Sequence, residues 1–128
     1  QGVELVWHAF DDMEGGEIYV KKIPSMKVVD MARALAPEAC LEFIGIRPGE
    51  KLHEQMISEE DALYSYEYPE HFKILPAIHN WHLSRGRIKD GRKVSEGFSY
   101  TSDNNGEWMD VGTLQAWVAA NKDKIGNI

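Results

Sequence analysis

Apolar positions along this chain change period several times, and the changes mark out its elements. Val3, Val6, Trp7 and Phe10 recur at helical spacing, so residues 2–13 are predicted to form an amphipathic helix that ends at Gly15-Gly16. Glu17-Ile18-Tyr19-Val20 then predicts a short strand. After Pro24, with Ser25 as the expected cap, Met26, Val29, Met31, Ala32 and Leu35 predict a second helix stopped before Pro37. Cys40 to Ile46 alternates and is rich in branched and aromatic residues, which predicts a buried strand, and Pro48-Gly49 turns the chain straight afterwards. Ser58-Glu59-Glu60-Asp61 opens a helical turn at nearly the spacing of a capping box, which ordinarily closes with Glu or Gln.

The second half follows the same logic. Residues 64–68 and 72–75 alternate around Pro69-Glu70 and predict a hairpin with Tyr64, Tyr66 and Tyr68 on one face. Residues 85–93 are basic, contain glycine and offer little to bury, so a surface loop is expected. Phe98 to Thr101 predicts a last strand. Asp110 is placed to cap a terminal helix through Leu114, Trp117 and Val118, with Gly126 near its end. The sum is an α+β fold with short strands, a hairpin and about three main helices, taken as one domain over residues 1–128. Strand partners for residues 17–20 and 40–46 are expected in a chain segment outside these residues.

Composition narrows the partners. With 43% hydrophobic and 10% aromatic residues, the 128-residue chain has the material for a core, and folding at this size hides roughly two-thirds of the extended surface. A formal charge of −7 argues against general nucleic-acid binding. No apolar run reaches the roughly 18 residues of a membrane helix, so no membrane partner is expected, and the single cysteine fits a reducing cytoplasm as the expected compartment. The one cysteine, Cys40, cannot make an internal disulfide and is expected as a small core residue. The chain opens on Gln1-Gly2-Val3, already inside a helical pattern, which leads us to expect a fragment or a processed product.

Candidate chemistry concentrates in GIRPGEKLHE at 45–54. Arg47 follows the expected strand and can present paired donors to a phosphate, while Pro48 and Gly49 return the chain so that Glu50 can accept from a ribose hydroxyl pair. The alternative is that Arg47 and Glu50 simply pair with each other. His53-Glu54 lacks the second histidine one turn on, where Ile57 stands, so a zinc-protease motif fails. His71, His79 and His82 have no carboxylate or thiol at a recognisable ligand spacing, and no metal site is expected. Gly15-Gly16 is too short for a phosphate-cradling loop, and no Tyr-x3-Lys pair occurs.

Four runs together carry a resemblance: GGEIYVKKIPSMKVVDMARAL at 15–35, GIRPGEKLHEQMIS at 45–58, KILPAI at 73–78 and EGFSYTSDNNGEW at 96–108. Their order and spacing across nearly the whole chain resemble the C-terminal part of the sugar-nucleotide 4,6-dehydratases of the extended short-chain dehydrogenase/reductase superfamily. The likeness is to the inverting UDP-N-acetylglucosamine type of the pseudaminic acid pathway. The resemblance implies a substrate-binding region whose Rossmann domain, with NADP and the catalytic groups, is absent here. It implies UDP-sugar contacts from Arg47 (diphosphate) and Glu50 (ribose), no catalytic or cofactor-binding residue in this chain, and no catalysis or bound cofactor by these residues alone. Partners so implied are a UDP-sugar, the missing Rossmann domain and further copies of the chain, because the apolar faces of residues 2–13 and 26–36 would be left sticky. Two alternatives remain open: a standalone non-catalytic nucleotide-sugar module, and a retaining dehydratase or epimerase acting on another nucleotide sugar.

Overall fold

Punctuation by glycine and proline sets the element order. The computed structural model describes residues 2–121, with the backbone alone for His79 and Trp81. Along the chain run α1 (Gly2–Asp12), β1 (Ile18–Lys21), α2 (Val28–Leu35), β2 (Gln55–Ile57), α3 (Glu59–Ala62) and β3 (Ser65–Glu67). They continue with β4 (His71–Ile74), a short 3-10 segment (Ile78–Leu83), α4 (Arg85–Ile88), β5 (Arg92–Lys93), β6 (Tyr100–Thr101) and α5 (Val111–Ala120). The α+β class stands, and α1, α2 and α5 are the three long helices. No described helix is long and apolar enough to cross a membrane. The described residues form two compact units, Gln1–Ile23 with Gln55–Asn104 and Pro24–Glu54 with Asn105–Ile128.

In the first unit a four-stranded antiparallel sheet has the order β1-β4-β3-β5, and β2 pairs with β6. The expected hairpin is present, with Tyr66 opposite Lys73. The partner of β1 is a correction: it lies inside the chain, with Ile18 opposite Ile74 and Lys21 opposite His71. Strand β4 is central and buried, with β3 paired along one edge and β1 along the other. Phe72 and Ile74 point into one core cluster with Ile57 and Tyr100, joined at its margin by Tyr64. Tyr66 and Tyr68 form a second cluster with Leu75, so the three tyrosines are divided between two clusters. At α3 the capping box is complete, with Asp61 in place of glutamate: Ser58 Oγ accepts from the Asp61 N–H and the Asp61 carboxylate accepts from the Ser58 N–H.

Residues 85–93 are largely exposed, as their composition predicts, but they are not a loop. They form α4 and β5, and Arg87 is buried because Glu17 and the Gly15 carbonyl accept from its guanidinium. Gly91 is required by close approach: a Cβ there would lie 2.4 Å from the Tyr68 ring.

In the second unit α2 packs with α5, and Asp110 caps α5 by accepting from the Thr113 N–H at 2.7 Å. Gly126, expected near the end of this helix, lies outside the described residues. Two further expectations are corrected. Ser25 does not cap α2, which starts at Val28 with Lys27 at the N-cap and no side-chain cap. The Ser25 backbone is engaged instead, its N–H donating to Glu107 and its carbonyl accepting from Met109, both at 2.8 Å, and this holds it extended. Residues 40–46 lie in no described strand, and Cys40, Phe43, Ile44 and Ile46 are exposed. An isolated extended segment gains nothing without a ladder partner, and Gly45, at φ +79°, breaks the alternation.

Candidate functional site

The Arg47 turn is built by its own residues. Pro48 fixes φ at the first central position, Gly49 takes φ +88° at the second, and the Glu50 N–H donates to the Arg47 carbonyl at 3.1 Å. The turn brings the two expected site residues together, and it brings them onto each other. Arg47 Nε donates to Glu50 Oε1 at 2.7 Å, Nη2 lies 2.7 Å from the same oxygen, and the Arg47 N–H donates to Oε2 at 2.8 Å. The backbone N–H of Arg47, followed by its guanidinium, holds the Glu50 carboxyl below the usual carboxylate range.

Of the two open readings, mutual pairing is the contact seen. It leaves the anion-binding reading intact, because Arg47 is 75% exposed and its Nη1 donors are not used by Glu50. An exposed pair of this kind is held weakly, so an incoming phosphate can take over its donors. Ile44, Ile46 and Leu52 flank the turn and are exposed.

A second constellation, in the first unit, was missed by the sequence reading. Lys73, at 1% exposure, donates to the Arg87 carbonyl at 3.0 Å and is ion-paired with Asp12. Lys89 holds the other Asp12 oxygen, and the Tyr19 hydroxyl donates to Asp12 at 2.6 Å. Burial opposes ionisation of Asp12, but these three donors overcome it and hold its carboxyl far below the usual range. Burial, and then Asp12, pushes the Tyr19 hydroxyl well up. These contacts fasten α1 to β1, β4 and the α4 segment.

Beside it, His71 stacks on Tyr68 (centroids 4.7 Å apart, planes 4° apart) and meets His8 at 4.9 Å. Burial, followed by His8 and Lys73, pushes the His71 imidazole down to about 4. The signal in the sequence was a charged residue and a histidine at alternate positions of an otherwise apolar strand: both faces of β4 are buried, and one of them is polar.

Among the described residues no group of three or more His, Cys, Asp or Glu could hold a metal ion. His71 and His82 are engaged with Tyr68 and Tyr64 respectively, and the His79 side chain lies outside the described set. The residues also do not fit a dinucleotide cofactor. Such a group needs a strand, a glycine turn and a helix in that order, whereas Gly15-Gly16 stand between α1 and β1, the reverse order.

A family model described as "Polysaccharide biosynthesis protein" matches residues 1–76. Over 112 residues the chain is 47% identical to the UDP-N-acetylglucosamine 4,6-dehydratase (inverting) of Campylobacter jejuni serotype O:2, covering 84% of this chain and 34% of that protein. It is 29% identical over 106 residues to the UDP-glucose 4-epimerase of Rickettsia canadensis, covering 80% of this chain and 31% of that one. The chain thus spans about a third of the length of the curated relatives it matches. The X-ray structure of Pen from Bacillus thuringiensis superposes with a TM-score of 0.79 at 22% identity, over 95% of this chain and 36% of that one, a likeness of fold alone.

Proposed function

The chain belongs to the polysaccharide biosynthesis protein family, and from that premise we propose that it is the nucleotide-sugar-binding portion of a UDP-N-acetylglucosamine 4,6-dehydratase. The full enzyme would remove water from the sugar to give a 4-keto-6-deoxy nucleotide sugar, with inversion at C5. The observation that carries the reading is the near-half identity to an inverting dehydratase across most of this chain.

In this proposal Arg47 binds the diphosphate and Glu50 the ribose. Binding is an exchange: the diphosphate takes the guanidinium from Glu50, and the released carboxylate accepts from the ribose hydroxyls. Hydride transfer, water elimination and the NADP that serves them belong to the rest of a longer, cytoplasmic, homo-oligomeric enzyme.

The test joins these residues to a Rossmann domain of the family and supplies UDP-N-acetylglucosamine with NADP. A keto-sugar product is expected by NMR, and its C5 configuration reports inversion. Arg47→Ala should raise the dissociation constant for the UDP-sugar roughly ten- to hundred-fold, as loss of a charge-assisted contact does. A joined enzyme that makes no keto-sugar refutes the reading. The likeness to a UDP-glucose 4-epimerase supports a second outcome, recovery of a C4 epimer with no loss of water.

A further inference from the structure

Binding at the Arg47 turn makes no use of the outer edge of β1. In the four-stranded sheet β1 is an end strand, paired on one side with β4. The Lys22 N–H donates to the Glu70 carbonyl at 3.1 Å, and antiparallel pairing alternates along the strands. The N–H and carbonyl groups of Tyr19 and Lys21 therefore face away from β4. No described strand pairs with them. An edge of this kind is a template for another strand.

A groove of about 360 Å3 lies between α1 and β1. Val6, Phe10, Met13 and Ile18 line it and are 42–66% exposed, and Val3 and Trp7 extend the apolar face of the helix. None of these six belongs to either core cluster of the unit. An apolar strip beside an open edge marks a contact surface.

The order of elements says which partner fits. Helix α1 leads into β1 and is fastened to it, the Tyr19 hydroxyl donating to Asp12 at 2.6 Å. A helix packed on the strand it leads into is the second half of a strand–helix–strand crossover, whose two strands lie parallel in one sheet. Because β4 holds one edge of β1, the other strand of the crossover belongs at the outer edge. A second copy related by a two-fold axis would bring β1 antiparallel to β1 and leave the crossover unfilled.

We propose that the outer edge of β1 receives a parallel strand from a part of the longer enzyme outside these residues, with apolar side chains packed under Val6, Phe10 and Met13. The inference rests on reading these residues as a portion of such an enzyme, about a third of whose relative's length they span.

Amide hydrogen exchange, resolved by residue and read without substrate, tests it on the chain alone and on the chain joined to its Rossmann domain. Tyr19 and Lys21 should exchange roughly a hundred-fold more slowly in the joined enzyme, while Val20, whose N–H faces β4, changes less. Phe10→Glu in the joined enzyme should return Tyr19 and Lys21 to fast exchange. In the chain alone the same variant should leave the urea midpoint unmoved, because that ring is in water. Fast exchange at Tyr19 and Lys21 in an enzyme that makes keto-sugar overturns this proposal and spares the function. Slow exchange in a joined protein that makes none refutes the function and spares the proposal. Protection already present in the chain alone and lost on dilution gives the edge to a second copy and overturns it, as does a fall in midpoint for Phe10→Glu alone.

Discussion

The two units of this chain treat charge in opposite ways. In the first, a buried Lys73 and a half-buried Asp12 satisfy each other with the help of Tyr19, Lys89 and the Arg87 carbonyl. In the second, Arg47 and Glu50 satisfy each other on an open turn. The apolar side chains divide less cleanly, since α1 of the first unit also exposes Val3, Trp7 and Phe10, but the surroundings of the two pairs differ. Ile57, Phe72, Leu75 and Tyr100 are nearly sealed, whereas Phe43, Ile44, Ile46 and Leu52 are left in water. The contrast teaches where each kind of charge belongs: a pair sunk into a core is committed to architecture, and a pair held loosely at a turn keeps its donors available for a ligand.

Breaking the buried pair should give the largest effect. Lys73→Ala leaves Asp12 without its buried partner and should lower stability by about 3–5 kcal/mol, read from the urea midpoint. Arg47→Ala should leave that midpoint unmoved. A large loss in both variants would erase the contrast between the units.

A middle-sized effect comes from pH. The folded His71 value of about 4 lies below the ordinary 6.5, so between the two the unfolded chain binds a proton that the folded chain refuses. Stability should therefore fall as pH drops from 6.5 toward 4, by about 2–3 kcal/mol. His71→Phe keeps a ring on Tyr68 but binds no proton, and its urea midpoint should be flatter across that window. Asp12 acts in a separate window. Its folded value is depressed, so its contribution is fully present above the ordinary 3.8 and is lost only as pH falls below that.

The smallest effect should be Glu50→Gln. Its carboxyl is also depressed, from 4.5, but the pair is in solvent, and the neutral variant should melt with the parent at pH 7. An unfolding midpoint that drops as far as that of Lys73→Ala would show the turn to be architectural after all.

How much of this was legible depends on whether the signal was local. The hairpin, the Asp110 cap, the Ser58–Asp61 box and the Pro48-Gly49 turn rest on contacts within a few residues, and each is found where the pattern puts it. The Arg47–Glu50 pairing was legible for the same reason. Residues 40–46 misled because alternation describes a segment's taste for a sheet and cannot supply the second strand. Arg87 misled in the opposite way. A basic, glycine-containing run reads as solvated until Glu17, seventy residues earlier in sequence, is seen to accept from it. The Asp12–Lys73 cluster joins α1 to β4 across sixty residues, and no local pattern encodes such a partner.

Gly91 has a bearing on how this sequence can vary. Any other residue there adds a Cβ against the Tyr68 ring, and that ring cannot swing away freely while its hydroxyl donates to the Ile88 carbonyl at 2.7 Å. Positions 68 and 91 thus form one hereditary choice rather than two: a lineage that keeps the tyrosine is bound to keep the glycine, and one that trades the tyrosine for something smaller is released at both.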